Sequence, residues 1–187
     1  MSEIKVEQYN PEWKNEFKKA FIFYQNLLKN VKVMIEHVGS TSVEGMWAKP
    51  ILDIDIIVIN TKDSIKVIEQ LISVGYIHVG NYGIDGREAF RYKEDNDNIK
   101  WMRHNLYVCI EGNENLRNHL LLRKHLRNND KAIEAYSKIK LELAKKYPND
   151  IDSYVEGKTN IIGEFLRNEG MNIEELNRIE NINKKSK

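Results

Sequence analysis

The chain has 187 residues, of which 41% are hydrophobic and 30% charged, a balance typical of a soluble globular protein with one sizeable core. It excludes a largely disordered chain, and no apolar run reaches the ~18 residues that a membrane-spanning helix needs. The formal net charge of +1 disfavours nucleic acid as a partner, so any anion site is expected to be local. The single Cys109 and the absence of a signal-peptide core predict a cytoplasmic protein.

The first half of the chain alternates helix and strand patterns. Asn10 and Pro11 are typical helix-start residues, and aromatic and apolar residues then recur every three or four positions. Two strands follow, VKVMIEHV and PILDIDIIVI, with the turn GSTSVEG between them. A second helix is expected from a cap at Asp63 or Ser64 to Gly75.

Two more strands and a helical part complete the predicted fold. A strand is expected near residues 88–93, and another in WMRHNLYVCIE. Three helices follow, over 116–126, 130–147 and 154–165, and the polar tail 169–187 is predicted to be a peripheral helix or disordered. The order predicts one α+β domain over residues 1–168, a mixed β-sheet flanked by helices with a helical carboxyl-terminal part.

Two acidic residues, Asp53 and Asp55, interrupt the second apolar strand. Alternate residues of a strand face the same side, so both carboxylates project together, about 7 Å apart at the backbone. They repel each other unless a cation lies between them, and Mg²⁺ prefers oxygen ligands that it shares with substrate phosphates. The pair is a candidate Mg²⁺ site, expected on an exposed or cleft-facing side, although the same pattern also occurs at solvated strand edges.

The turn before this strand offers candidate phosphate ligands. Gly39 permits a tight bend, while Ser40, Thr41 and Ser42 supply hydroxyl and N–H donors. If residues 41–46 begin a helix, its positive end attracts an anion. A structural turn is the alternative, but beside two metal-binding carboxylates the turn favours a nucleoside triphosphate site.

These motifs resemble known families. Val38-Gly39-Ser40, followed by Asp53-Ile54-Asp55, resembles the signature of the nucleotidyltransferase superfamily, the fold of DNA polymerase beta. More closely, YNPEWKNEF, IEHVGSTSVEGMWAKPILDIDI and YGIDGREAFRY resemble the GrpB family, and the similarity extends to about Leu166. The chain is identified as a member of that family. Many members carry His-His-x-His where this chain reads RHNLYV, so only the first histidine is retained.

The resemblance implies roles for the residues of the site. Asp53 and Asp55 would coordinate Mg²⁺ that bridges the triphosphate of an NTP, with ATP the expected nucleotide. The phosphates would be held by Gly39 and Ser40, together with Thr41 and Ser42.

Further residues are candidates on weaker grounds. Lys49, Arg87 and Arg91 are candidates to neutralise phosphate charge, since phosphoryl transfer depends on positioning and electrostatics. His104 is a candidate substrate contact. Superfamily members often carry a third carboxylate, for which Glu111 and Glu88 are rivals without motif support.

The predicted function is a metal-dependent nucleotidyltransferase, which transfers an NMP from an NTP to an unidentified small-molecule acceptor and releases pyrophosphate. The alternative is a catalytically inactive module of the same fold that binds a nucleotide or a phosphorylated metabolite. An RNA-modifying role is a third possibility, disfavoured by the balanced charge. The acceptor and the oligomeric state stay open.

Overall fold

The computed structural model describes residues 3–178, and residues 179–187 of the predicted tail lie outside the described range. The described residues group into two units. The sheet unit comprises Asn10–Val38 and Ile51–Arg117, and the helical unit comprises residues 3–9, 39–50 and 118–178. The single domain over residues 1–168 stays a prediction.

Five strands form one mixed sheet in the sheet unit. They are β1 (Val33–Val38), β2 (Leu52–Val58), β3 (Tyr76–Gly80), β4 (Arg87–Tyr92) and β5 (His104–Ile110). Their order across the sheet is β1-β2-β5-β4-β3. The β2–β5 pair is parallel, and the other neighbours are antiparallel. The amino-terminal ends of β2 and β5 therefore lie at the same end of the sheet as the carboxyl-terminal ends of β1 and β4.

The side-chain alternation of the central strands gives the sheet two different faces. One face carries Asp53 and Asp55 of β2, with Asn105 and Tyr107 of β5 directly alongside them. The other face is the apolar core, in which each of these residues is at most 1% exposed: Leu52, Ile54, Ile56, Val58, Leu106 and Val108. Burial of this face anchors β2 so firmly that a one-residue shift in register, which would bury the carboxylates there, is excluded.

The sheet unit also contains two helices, whose capping residues can be compared with the predicted helix starts. Before α1 (Glu12–Leu27), Pro11 already has helical dihedrals, with φ −55° and ψ −25°, and the Asn10 side chain accepts a hydrogen bond from the Glu12 N–H at 3.0 Å, so Asn10 caps the helix as expected. In α2 (Thr61–Ser73), the predicted cap at Asp63 or Ser64 is wrong. Asn60 is the cap, because its extended backbone lets its side chain accept from the Asp63 N–H at 3.0 Å.

Gly75 ends α2 with a backbone φ of +92°. A Cβ atom there would lie 2.7 Å from Nδ2 of Asn96, which itself donates to the Val74 carbonyl at 3.1 Å. We expect Gly75→Ala to lower the free energy of unfolding by about 1–2 kcal/mol, because both the left-handed backbone and the contact are unfavourable for alanine. Urea denaturation measures the loss. The control is Gly163→Ala at a helical position with nothing within 4 Å of a new Cβ, and equal stability of the two variants would contradict the prediction.

The helices of the helical unit come from the later part of the chain. Its helices are α3 (Glu114–Arg127), which begins in the sheet unit, α4 (Asp130–Lys146), α5 (Ile151–Glu156), α6 (Thr159–Asn168) and a segment over 173–178. The buried residues of its main core are Val43, Met46, Leu126, Ala132, Tyr136 and Phe165. Residues after the turn Ser40–Ser42 thus pack with three of these helices.

The fold class is confirmed as α+β, with a five-stranded mixed sheet and a helical carboxyl-terminal part. One predicted helix is in fact two, since the chain breaks at Gly157 between α5 and α6. Close packing explains the glycine at this position, because a Cβ atom at Gly157 would clash with the Leu143 side chain. Within residues 3–178, no helix combines the length and apolar character required to cross a bilayer.

Candidate functional site

The two acidic residues of β2 differ in exposure. Asp53 is partly exposed and accepts a hydrogen bond on Oδ1 from the Asn105 amide at 2.7 Å. Asp55 is 0% exposed. Of the two predicted surroundings, an exposed side is therefore ruled out for Asp55, and a cleft-facing side stays a prediction. A buried carboxylate is costly for folding, so its presence in the middle of a core strand indicates a functional requirement.

Tyr107 and Cys109 of β5 lie on the same face as the acidic pair. Burial, with the nearby Asp53 as the next cause, raises the pKa of Tyr107 to about 12. Burial also raises the pKa of the Cys109 thiol, and the charge of Asp55 adds to the effect. Both groups are therefore neutral at physiological pH, and neither acts as a base or nucleophile there.

Two arginines of β4 belong to this face. The Arg87 guanidinium lies 5.1 Å from the centre of the Tyr107 ring, and the residue is only 9% exposed. It donates to Asn115 Oδ1 and to the Asn81 carbonyl, both at 3.3 Å, and its Nε has no hydrogen-bond partner in the described chain. Arg91 is exposed and donates to the Tyr82 hydroxyl at 3.3 Å. Two of the three predicted cations, Arg87 and Arg91, thus lie on the carboxylate face of the sheet.

The structure brings neither proposed third carboxylate to the acidic pair. Glu88 points to the opposite face and contacts His78 Nε2 at 2.6 Å. Glu111 lies four residues beyond Tyr107, about 13 Å further along the strand direction. Glu36 of β1, which sequence reasoning missed, is directly opposite Asp55 and on its face. Even so, no three His, Cys, Asp or Glu side chains of residues 3–178 assemble into a metal-binding group.

This donor set fits one kind of metal ion. Two carboxylates do not form an all-protein cage, but Mg²⁺ is commonly bound through one or two carboxylates with substrate phosphates and water completing its shell. Asp53 and Asp55 project from the same face at alternate positions, as such a site requires. The residues present therefore fit a Mg²⁺ ion that arrives with a phosphorylated ligand.

The turn after β1 is tighter than expected. Gly39 has a φ of +67°, and Ser42 Oγ donates back to its carbonyl at 2.7 Å. Ser40–Ser42 form a single 3₁₀ turn, so the α-helix considered for residues 41–46 does not form and this turn offers no α-helix terminus to an anion. Thr41 and Ser42 are buried, whereas Ser40 is partly exposed. Val38, the residue before the turn, is paired with Asp53.

Lys140 of α4 is a candidate that sequence reasoning missed. Its Nζ donates to Ser40 Oγ at 3.1 Å and lies 4.5 Å from the centre of the Tyr136 ring, and the residue is only 2% exposed. Arg127 supports the same turn by donating to the Ser42 carbonyl at 2.8 Å. The helical periodicity of the sequence could have indicated this residue. Lys140 comes four residues after Tyr136 and so lies on the buried face of the helix.

Other predicted site residues lie in different surroundings. The Lys49 Nζ lies 5.6 Å from the centre of the Tyr154 ring, with Lys158 at 4.7 Å from the same ring. His37, which was not among the predicted site residues, is buried and stacks on Phe17, with 4.6 Å between the ring centres. His104 is 5% exposed, with Nδ1 accepting from the Trp101 indole at 3.1 Å and Nε2 2.7 Å from the Tyr76 hydroxyl.

A cavity of about 490 Å³ opens where β4 ends and β5 begins. We call it the β4–β5 cavity. Asn105, which donates to Asp53, is part of its wall. Its remaining lining residues are Phe90, Arg91, Tyr92, Glu94, Ile99, Trp101, Arg103 and His104. A single asparagine therefore connects the acidic pair to a cavity of ligand size.

Comparison with known proteins identifies the family. The profile of the GrpB protein family matches residues 3–168. The chain belongs to the GrpB family. It is 32% identical to the glutamate-rich protein GrpB of Alkalihalophilus pseudofirmus over 165 aligned residues. The alignment covers 88% of this chain and 94% of that protein. The crystal structure of the conserved protein GrpB from Enterococcus faecalis is similar with a TM-score of 0.75 and 28% identity, over 94% of this chain and 99% of that one. The predicted membership is confirmed.

A more distant likeness concerns the fold alone. The structure of Cid1 poly(U) polymerase with Mg 3′-dATP bound is similar with a TM-score of 0.55 and 12% identity. The likeness covers 82% of this chain and 50% of the polymerase chain, and the complex with MgGTP gives a TM-score of 0.52. The GrpB-family chain therefore has a nucleotidyltransferase-like fold, as predicted.

Proposed function

We propose that this GrpB-family chain is a magnesium-dependent nucleotidyltransferase, which transfers the NMP of an NTP to a small-molecule acceptor. The observation that carries the proposal is the acidic pair, Asp53 and Asp55, on a core strand of a nucleotidyltransferase-like fold, with Asp55 held fully buried. A carboxylate that costs folding energy there is best accounted for by a cation that it serves to bind.

Each element has a role in this proposal. Asp53 and Asp55 would hold Mg²⁺ together with the triphosphate, and the bound ion would offset the charge that develops on the phosphates. By the family resemblance, Gly39 and the Ser40 hydroxyl are the proposed phosphate contacts, and within the helical unit the Lys140 ammonium lies beside Ser40 as a further cation. Arg87 offers a further positive charge on the face of the acidic pair.

The proposed reaction is a substitution at the α-phosphorus of the NTP. The acceptor oxygen forms a bond to the α-phosphorus of the NTP while the bond from that phosphorus to the pyrophosphate oxygen breaks, and pyrophosphate leaves. A hydroxyl acceptor would give its proton to Asp53, the partly exposed carboxylate of the pair. An ionised acceptor oxygen carries no proton to remove.

The test is nucleotide turnover in the presence of Mg²⁺. The purified protein is incubated with α-labelled NTPs and a pool of small metabolites, beside an Asp53→Ala, Asp55→Ala double variant. Label transfer and pyrophosphate release that disappear in the double variant support the proposal. Mg²⁺-dependent NTP binding without turnover would instead support the alternative, a binding module of the same fold.

Lys140 provides a second prediction. We expect Lys140→Met to raise the KM for the NTP about tenfold, because the variant removes the cation beside Ser40 while preserving the apolar stem. The control is Lys138→Met, which removes the same charge from an exposed position of α4. Steady-state kinetics at fixed acceptor concentration measure both variants, and an equal KM in the two would argue against a phosphate contact at Lys140.

A further inference from the structure

The β4–β5 cavity has two cations in its wall. Arg91 and Arg103 both line it, and neither guanidinium is in an ion pair with a carboxylate of residues 3–178. Glu94 is the one acidic side chain among the lining residues. Arginine presents a planar fork of donors that matches phosphate oxygens, so two such groups favour an anionic ligand.

The other lining residues indicate that the remainder of the ligand is apolar. Tyr92 and Trp101 line the cavity together with Ile99, and Trp101 packs within an aromatic cluster that fixes its orientation. Ligand cavities combine apolar walls of this kind with a few polar groups that fix orientation. The volume of about 490 Å³ suits a small organic molecule.

The acidic pair itself restricts the acceptor. No third carboxylate of residues 3–178 completes a metal-binding group with Asp53 and Asp55, so a hydroxyl acceptor would have to use as its base either Asp53, a proposed metal ligand, or Glu36 opposite Asp55. A phosphate monoester needs no such base, since its second pKa is about 6 and its oxygens are ionised at neutral pH. Asn105, which lines the cavity and contacts Asp53, places such an acceptor next to the proposed metal ligands.

Together these observations name the second substrate. Resting on the proposed function, we infer that the β4–β5 cavity binds the acceptor and that the acceptor is a phosphorylated small molecule, whose phosphate is held by Arg91 and Arg103. In the transfer step, an ionised phosphate oxygen of the acceptor bonds to the α-phosphorus as the bond to pyrophosphate breaks. No proton moves, and the product contains a new phosphoanhydride.

Binding is tested first, without metal or nucleotide, so that the result does not depend on turnover. Phenyl phosphate is titrated into the full-length protein and followed by NMR, with benzyl alcohol as the uncharged probe. We expect phenyl phosphate to bind, and Arg91→Gln and Arg103→Gln each to weaken it about tenfold. Lys93→Gln is the control, since it removes a positive charge two residues after Arg91 but not from the cavity wall. Equal binding to all four proteins, or no binding, would overturn the inference.

Further experiments, a competition with a nucleotide analogue and turnover assays, distinguish failure of this inference from failure of the proposed function. Phenyl phosphate that remains bound when a Mg²⁺ complex of α,β-methylene ATP is added supports separate acceptor and nucleotide sites, and its displacement overturns the inference. Turnover with hydroxyl compounds but not with phosphate monoesters would overturn the inference and leave the nucleotidyltransferase intact. Arginine-dependent binding of phenyl phosphate without any NTP turnover would overturn the proposed function and leave the phosphate site standing.

Discussion

Replacing Asp55 by asparagine is expected to lower the rate of nucleotide transfer by about 10³-fold, or about 4 kcal/mol, without lowering the stability of the fold. The substitution preserves the shape of a side chain that is 0% exposed but removes the charge that the metal requires. Burial of an ionised carboxylate is unfavourable, so the neutral amide should be tolerated at least as well. Turnover assays and urea denaturation of the same preparation measure the two effects.

A matched variant shows whether the effect belongs to the site. Asp97→Asn changes a fully exposed aspartate of the sheet unit, and we expect it to leave both turnover and stability unchanged. The prediction fails if Asp55→Asn retains most of the activity. Retention would mean that the carboxylate is not a metal ligand, even if the protein proved to be an active transferase.

The second large effect concerns pH and the buried imidazole of His104. Burial lowers the pKa of His104 to about 4 from 6.5. Trp101 donates to its Nδ1 and the Tyr76 hydroxyl lies 2.7 Å from its Nε2, so the geometry favours the neutral ring protonated on Nε2. Around this ring, Tyr24 and Tyr92 complete an aromatic network.

The direction of the pH effect follows from linkage. The folded protein keeps His104 neutral while the unfolded chain binds a proton below pH 6.5, so the stabilisation is complete above pH 6.5 and is lost as the pH falls toward 4. We expect the contribution of His104 to the free energy of unfolding to fall by about 2 kcal/mol by pH 5. Urea denaturation at pH 7 and pH 5 measures the difference.

The comparison that isolates His104 uses two substitutions. His104→Gln is expected to lower stability at pH 7 but to lose about 2 kcal/mol less than the wild type between pH 7 and pH 5. His104→Asn, which removes the same titrating ring, should show the same reduced loss between pH 7 and pH 5. If His104→Gln shows the same slope as the wild type, the imidazole is not the group responsible.

Sequence patterns predicted four of the five strands and missed β3 (Tyr76–Gly80), in which only Tyr76 is buried. The sequence alone also predicted the acidic pair, its placement on an apolar strand and the glycine turn before it. The patterns failed where helix faces are decided by packing. In α2, Val67 and Leu71 are buried, whereas Ile65 and Ile72 are half exposed, although all four are apolar.

The composition of the candidate site was less predictable, because strand order decides which side chains meet. Glu36 became a neighbour of Asp55 only through the antiparallel pairing of β1 with β2. Lys140 is 100 residues from Ser40 in sequence, so its hydrogen bond to that serine could not be read from local spacing. The β4–β5 cavity likewise depends on two strand ends meeting at one end of the sheet.

The chain passes between the sheet unit and the helical unit at four points, after residues 9, 38, 50 and 117. Neither unit is therefore a continuous stretch of the gene, and no single truncation releases one of them intact. The twelve-residue segment 39–50 of the helical unit lies between β1 and β2 in the sequence. Replacing the helical unit by that of a relative would therefore require four chain junctions, three before α3 and one within it. Diversification of such a protein is expected to proceed by point substitution in the walls of its cavities rather than by shuffling of modules.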